Sequence, residues 1–313
     1  MSVLAARKVA AQTLPVTLST WQTAVLRFRR NPLSLMGLII IVGFILVALL
    51  APVLAPPPAN TRDPYMMPHA GYSPDPQAPR PGHPFGTTEQ AFDIYYGIVW
   101  GARTAFRIGL MVVAMSVAIG IVVGGIAGFY RGKVDEVLMR IVDIFLAFPG
   151  LILAVVVVAI LGPSLQNVLI ALALVGWPGY ARLLRGEILS VRERDFVEAA
   201  RAMGANDLKI ILRHVLPNSI YPILVVSSLD MGSVVVAAAA LSFLGLGAPV
   251  GYADWGQIIS LSRNWIIGSG GNAFAFWYTV VFPGAALVFF TLGWNLLGDA
   301  FRDILDPRLR GST

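Results

Sequence analysis

Apolar runs of about 20 residues, each long enough to cross a hydrocarbon core, recur along most of the chain. They cover Leu33 to Leu54, Ala105 to Phe129, Ile141 to Leu161, Val168 to Leu184, Ile220 to Leu246 and Trp277 to Leu297. The pattern predicts an all-α integral membrane protein with six transmembrane helices, the fourth short and interrupted by Gly176, Trp177, Pro178 and Gly179. Composition agrees: 57% of the 313 residues are hydrophobic and 13% charged. With a mean hydropathy of +0.73, the balance lies far from that of soluble domains. The absence of cysteine excludes disulfides, thiolate metal sites and cysteine nucleophiles.

The net charge of +6 raises the question of nucleic acid, and its placement answers it. With a cytoplasmic N-terminus, the inside segments hold Arg7, Lys8, Arg27, Arg29 and Arg30, then Arg131, Lys133 and Arg140, then seven from Arg182 to Arg213, then Arg302, Arg308 and Arg310. Arg62, Arg80, Arg103, Arg107 and Arg263 alone fall outside or at the outer membrane edge. This is the positive-inside bias, with both termini cytoplasmic, and it accounts for the charge without a nucleic-acid surface. The organisation expected is a cytoplasmic segment 1–32, a first helix 33–54 that is retained and not cleaved as a signal, an outer arm 55–101, a five-helix membrane domain 102–298 and a cytoplasmic tail 299–313. Ten prolines from Pro56 to Pro84 favour an extended polyproline arm lying over the outer mouth.

Within the spans, Ser116, Gly120, Gly124 and Gly128 recur every four residues and set four small side chains on one helical face. Such a face suits close packing, inside the bundle or against another subunit. Asp230, about twelve residues into the fifth span, is costly unless it lines a pathway or is hydrogen-bonded at a helix interface. Asp143 and Asp299 lie near cytoplasmic ends, where solvated or capping roles suffice.

The longest inside loop, 185–217, reads as a helical hairpin. Ser190 and Glu193 have capping-box spacing, which predicts a helix from Val191 with Phe196, Ala199, Ala200 and Met203 on one face and Gly204 as its stop. Asn206 caps a second helix with a Leu208, Ile211, Leu212 and Val215 stripe that Pro217 ends. Two apolar faces outside the membrane require a cover.

Glu198-Ala199-Ala200, Gly204 and Leu216-Pro217 resemble the E-A-A-x-x-x-G-x9-I-x-L-P motif of binding-protein-dependent ABC importer permeases, with matching spacing throughout. His214 replaces the motif's isoleucine, and Arg213-His214-Val215-Leu216-Pro217-Asn218 is similar to the dipeptide and oligopeptide branch. So are His83-Pro84-Phe85-Gly86-Thr87, Leu241-Ser242-Phe243-Leu244-Gly245-Leu246-Gly247, and Asn295-Leu296-Leu297-Gly298-Asp299 with Asp306-Pro307-Arg308. The departure is Thr88-Glu89-Gln90-Ala91-Phe92-Asp93, where family members carry a more acidic, glycine-containing stretch with arginine before the aspartate. The resemblance implies a type I importer fold and a complex with a homologous permease, two cytoplasmic ATPases and an extracytoplasmic binding protein. Glu198, Ala199, Ala200, Gly204, Leu216 and Pro217 would couple to the ATPases; Asp195 and Arg201, with Arg192 and Arg194, would add rim contacts or stand as solvated charges.

Resident chemistry is not expected. His69, His83 and His214 have no metalloprotease spacing, and no serine sits in a nucleophile elbow. Gly132-Lys133 lacks the earlier glycine of a phosphate-binding loop and is followed by Val134, so ATP and Mg belong to partner chains and no cofactor to this one. The alternative is an ion-coupled secondary carrier with Asp230 as its coupling carboxylate. An exporter disagrees with the hairpin motif. Cargo stays open among peptides, nickel chelates, glutathione-like compounds and oligosaccharides.

Overall fold

Hydrocarbon offers no partner for a backbone N–H or C=O, so spans must satisfy themselves as helices. The computed structural model describes residue 28 and residues 31–59, 61–69, 71, 73–266 and 274–305. The N-terminal basic stretch and the tail arginines Arg308 and Arg310 lie outside the described residues. Among the described residues, five helices are long and apolar enough to cross a membrane, or six when one bent pair counts as a span. They are α1 (Pro32–Leu54), α2 (Ile94–Tyr130), the pair α3 (Gly132–Leu146) and α4 (Gly150–Leu161), α5 (Leu165–Val191), α9 (Tyr221–Phe243) and α12 (Tyr278–Leu305). Between α5 and α9 stand α6 (Asp195–Ala202), α7 (Asp207–Ile210), a π-helical turn (Ile211–Val215) and α8 (Leu216–Ser219). At the opposite end of the bundle, α10 (Trp255–Leu261) and α11 (Arg263–Ile266) precede α12.

Two spans differ from the hydropathy pattern. The third is not one helix from Ile141 to Leu161 but two, bent by 88° at Ala147-Phe148-Pro149. Proline lacks the N–H that would continue the ladder and restricts the residue before it. The fourth is not short or interrupted: α5 runs unbroken for 27 residues, with Pro178 inside it. Its start is fixed by Ser164, whose Oγ accepts from Asn167 N at 3.1 Å, while the Asn167 amide donates to Leu161 O at 3.0 Å and Gly162 O at 2.8 Å and so closes α4.

The most extensive helix pair is α2 with α5. Ser116, Gly120, Gly124 and Gly128 are all buried on this seam. A Cβ on Gly124 would overlap the Ala181 carbonyl, one on Gly120 the Tyr180 Cβ, and one on Gly128 would press on Ile188 at 3.0 Å. The seam is therefore backbone against backbone, and the four small residues serve packing within this chain.

The arm is not an extended polyproline strap. It is folded down onto the end of the bundle, with Met67, Thr87, Thr88, Ala91 and Phe92 buried. Met67 N donates to Gly251 O and Ala253 N to Tyr65 O, both at 2.7 Å, and Trp265 Nε1 donates to Glu89 Oε2 at 2.7 Å. Asp93 starts α2 by accepting from Tyr96 N at 3.0 Å through Oδ1, while Oδ2 lies 2.6 Å from His83 Nδ1. Aromatic and β-branched side chains scattered among the prolines supply the burial that a proline count conceals.

This end also closes the backbone ledger of α1. Pro52 leaves the Ala48 carbonyl without its helical donor, and Arg103 donates Nε–H to that oxygen and Nη2–H to Leu49 O at 3.3 Å. Trp100 Nε1 donates to Ala55 O at 2.9 Å, with the Arg103 guanidinium 5.0 Å from the Trp100 ring centre. Nearby, Asp254 caps α10 by accepting from Gln257 N at 2.8 Å; burial pushes its carboxyl up from the ordinary range against the pull of its hydrogen bonds.

Two stability predictions follow from the backbone. Gly124→Ala destabilises by about 1–3 kcal/mol through overpacking against Ala181, whereas Gly125→Ala, whose Cβ meets nothing within 4 Å, is neutral or slightly stabilising; thermal unfolding in detergent separates the two. Ala91 sits at φ +59°, in the left-handed region. Ala91→Gly removes that strain and stabilises by about 0.5–1 kcal/mol once glycine's greater unfolded-state freedom is deducted, and an unchanged or lower unfolding midpoint would contradict it.

Candidate functional site

The hairpin between α5 and α9 is built from local signals, and one of the expected signals is not used. Ser190 lies inside the last turn of α5, which continues to Val191, so the Ser190–Glu193 capping box does not form. Helix α6 begins instead at Asp195 after extended Arg194, with Asp195 and Glu198 in its first turn, where negative charge complements the helix dipole. Gly204 takes φ +80°, the conformation that ends α6 and turns the chain. Asn206 caps α7 as its sequence implies, accepting from Lys209 N at 2.9 Å. Pro217 has no N–H to donate, and the ladder before it widens into the π turn, where Leu216 N reaches back to Ile211 O.

The side chains that face inward are only partly those of the stripes the spacing picks out. Val197, Ala200, Ile210 and Val215 are buried in one cluster with Phe129, Tyr180, Leu184, Ile188 and Ile223, from α2, α5 and α9. Most of the stripe that calls for an external cover is open in this chain, while its Ala200 and Val215 turn inward. Phe196 is 39% exposed, Met203 81%, Leu208 64% and Leu212 56%, and Ala199 is exposed beside them. Glu198, Asp195, Arg201 and Pro217 are also exposed, Leu216 is half-buried, and a Cβ added to Gly204 would meet open space. The motif residues thus divide: Ala200 anchors the hairpin to the bundle, while Glu198, Ala199 and Gly204 form its outward surface.

Arg192 is not a rim charge. Its Nη1 donates to the carbonyl of Phe129 and reaches Gly128 O at 3.5 Å, so the guanidinium closes the C-terminal end of α2 and lies 6.0 Å from the Phe129 ring centre. Glu193 Oε1 lies 3.2 Å from Arg192 Nε and 2.8 Å from Arg131 Nη2. A cation at the carbonyl end of a helix is favourable on dipole grounds as well. The hairpin is therefore tied at its root to the span that α5 packs against. Sequence spacing carries no sign of this clamp, because its partners are main-chain carbonyls 63 and 64 residues away.

Helix α3 is fastened beside the root. Arg185 makes a bidentate pair with Asp135, Nε to Oδ1 at 2.5 Å and Nη2 to Oδ2 at 2.6 Å. Arg182 pairs with Asp143, which is thus an ion-pair partner and not merely a solvated or capping acid. Deeper in the bundle, Tyr180 Oη donates to Asp230 Oδ2 at 2.6 Å, joining α5 to α9. Tyr180 is 3% exposed, whereas Asp230 is only partly buried. The sequence gives no sign of Tyr180, because one tyrosine in an apolar span has no pattern to mark it.

Comparison with known proteins agrees with this architecture. The family described as binding-protein-dependent transport system inner membrane component matches residues 120–311, and the N-terminal TM domain of oligopeptide transport permease C matches residues 19–77. The dipeptide transport system permease protein DppC of Alkalihalophilus pseudofirmus is 41% identical over 93% of this chain and 91% of its own. The probable D,D-dipeptide transport system permease protein DdpC of Escherichia coli K12 is 38% identical over 90% of this chain and 89% of its own. The glutathione transport system permease protein GsiD of Pectobacterium atrosepticum is 35% identical over 97% and 98%. Among solved structures, a chain of the MetNI methionine ABC transporter in inward-facing conformations, native crystal form, superposes with a TM-score of 0.55 at 22% identity, covering 68% of this chain and 98% of that one. The fold is that of a type I ABC importer permease, and the chain belongs to the family of binding-protein-dependent transport system inner membrane components.

Proposed function

We propose that this chain is one of two homologous permease subunits of an ATP-driven importer for di- or oligopeptides, coupled through its hairpin to two cytoplasmic ATPases that bind the ATP and Mg. An extracytoplasmic binding protein delivers the cargo. Both termini are cytoplasmic, and the hairpin lies on the cytoplasmic side, as the lysine and arginine bias requires. The peptide assignment is supported by the peptide permeases among the relatives; the glutathione permeases carry a peptide-like cargo of the same kind.

One observation carries the coupling role. The hairpin's inner side is fused to three spans through Val197, Ala200, Ile210 and Val215, while its outer side leaves Phe196, Ala199, Met203, Leu208 and Leu212 exposed around Glu198. An apolar patch with a charged rim is an interface waiting for its partner. A push on that patch moves the ends of α2, α5 and α9 together, because packed interiors transmit strain and do not absorb it. ATPase closure would then rock the spans between two access states by rigid-body motion.

Two substitutions test the docking role. Glu198→Lys reverses the exposed charge and Gly204→Asp places a side chain on the outer surface at a left-handed position; neither touches the buried cluster. In reconstituted importer both are expected to insert normally and to lower ATP-dependent uptake at least about tenfold, equivalent to about 1.4 kcal/mol, with ATP hydrolysis no longer tied to cargo. Wild-type uptake in both variants would remove the docking role, and uptake by this chain without any ATPase would favour the secondary carrier.

A further inference from the structure

Asp230 is the one charged residue in α9, and it lies about 14 Å along the helix from the hairpin end. No lysine, arginine or histidine pairs with it among the described residues, whose ion pairs all lie elsewhere. An unneutralised carboxylate at that depth is stable only where water or a cation reaches it. Its two oxygens differ. Oδ2 is held by the buried Tyr180 hydroxyl at 2.6 Å, while the nearest protein partner of Oδ1 is Ser233 Oγ, at the 3.5 Å limit of a hydrogen bond. Tyr180 therefore fixes the carboxylate and leaves one oxygen to accept from outside the chain.

The surroundings leave room for a ligand. Ser233 and Ala237, three and seven residues beyond Asp230, share its face of α9 and are exposed and half-buried respectively. The α9 face beside the oriented acid thus carries only small side chains. The donor set is too sparse for a resident divalent ion, which takes six or more oxygens at a calcium site, and it suits a group that brings its own hydrogens.

We infer that Asp230, oriented by Tyr180, binds the protonated amino group of the cargo during transfer through the membrane. This deepens the importer assignment and rests on it. A free peptide amino terminus presents three N–H donors and a positive charge, which match one free carboxylate oxygen with a serine hydroxyl nearby. The contact gives the permease its own recognition step after the binding protein has released the cargo.

The test is single-turnover uptake into proteoliposomes holding the complete importer, with the binding protein loaded to equal, isotopically counted occupancy by a dipeptide or by its des-amino analogue. Wild type should transfer the dipeptide faster. Asp230→Asn should slow the dipeptide about tenfold to a hundredfold, the scale of a lost charge-assisted hydrogen bond, and leave the analogue's rate unchanged. Asp230→Glu should keep the preference, and Tyr180→Phe, which keeps the carboxylate but frees its orientation, should reduce it about threefold, the low end of what one hydrogen bond contributes. Equal slowing of both cargoes by Asp230→Asn would overturn the amino-group contact and leave a packing role. If Asp230→Asn does not assemble, the cargo preference of Tyr180→Phe decides: a preference equal to wild type rejects the proposal. Absence of ATP-dependent uptake of either cargo by wild type would strike at the importer assignment itself, and replacing sodium by potassium should change nothing.

Discussion

Close approach of α2 and α5 is the constraint on which the rest of the molecule hangs. Without a hydrophobic driving force between helices in lipid, association depends on packing, and packing at backbone distance needs residues without side chains. Gly120 and Gly124 meet the α5 backbone around Tyr180 and Ala181, and Gly128 meets it near Arg185 and Ile188. That contact brings the last turn of α5 beside the last turn of α2, which places Arg192 within reach of the Phe129 carbonyl. The hairpin inherits its position from this seam: its root is capped onto α2, and its apolar inner side is packed against α2, α5 and α9.

The opposite end obeys the same backbone accounting with different means. Proline breaks in α1 and the irregular arm free main-chain carbonyls, and long polar-tipped side chains of α2 satisfy them. Arg103, Trp100 and Tyr95 reach Ala48, Ala55 and Leu54, and Tyr96 reaches Pro64. Thr104 donates to Ala253 O at 2.8 Å and so fastens the segment before α10 to the same helix. Helix α2, the longest at 37 residues, serves at both ends as the post to which the less regular parts are tied.

Hydropathy made the spans legible because twenty apolar residues have few other solutions in a chain of this composition. It could not show where a span bends. The α3–α4 break falls at Pro149, and α3 is paired through Asp135 and Asp143 with Arg185 and Arg182, tertiary contacts invisible to a sliding window. The prolines of the arm masked Phe92 and Met67, whose burial needs the α9–α12 connection as a counter-surface. The departure from the family pattern at Ala91 becomes intelligible through its positive φ, since a glycine nearby would carry that conformation without strain. For the hairpin, spacing locates the motif and the Asn206 cap, yet α6 starts at Asp195, four residues after Val191, where the Ser190–Glu193 spacing points. A four-residue change nearly preserves helical phase, so Phe196, Met203, Leu208 and Leu212 remain on the outward side, and the departure is confined to Ala200 and Val215, which turn inward. The stripes of α6 were two, Val197 with Ala200 inward and Phe196 with Met203 outward, and amphipathicity alone does not say which faces home.

The hairpin and the intramembrane acid are linked by topology. The hairpin joins the end of α5 to the start of α9, and Tyr180 and Asp230 are contributed by those same two helices. Tyr180 lies eleven residues before Val191, about 16 Å along α5 at helical rise. A rigid displacement of the hairpin therefore acts on both partners of the Tyr180–Asp230 bond, and any rotation of α5 relative to α9 changes how firmly the hydroxyl holds the carboxylate. If the two helices move as one body, the acid keeps its orientation while the path around it changes. If they shear, the bond lengthens and Asp230 loses the partner that fixes it. The buried cluster favours the first, because Leu184 and Ile188 of α5 and Ile223 of α9 are all fully enclosed between the bond and the hairpin root. Packing at that density resists sliding, so a motor acting on the hairpin would carry an already oriented carboxylate from one side's access to the other's.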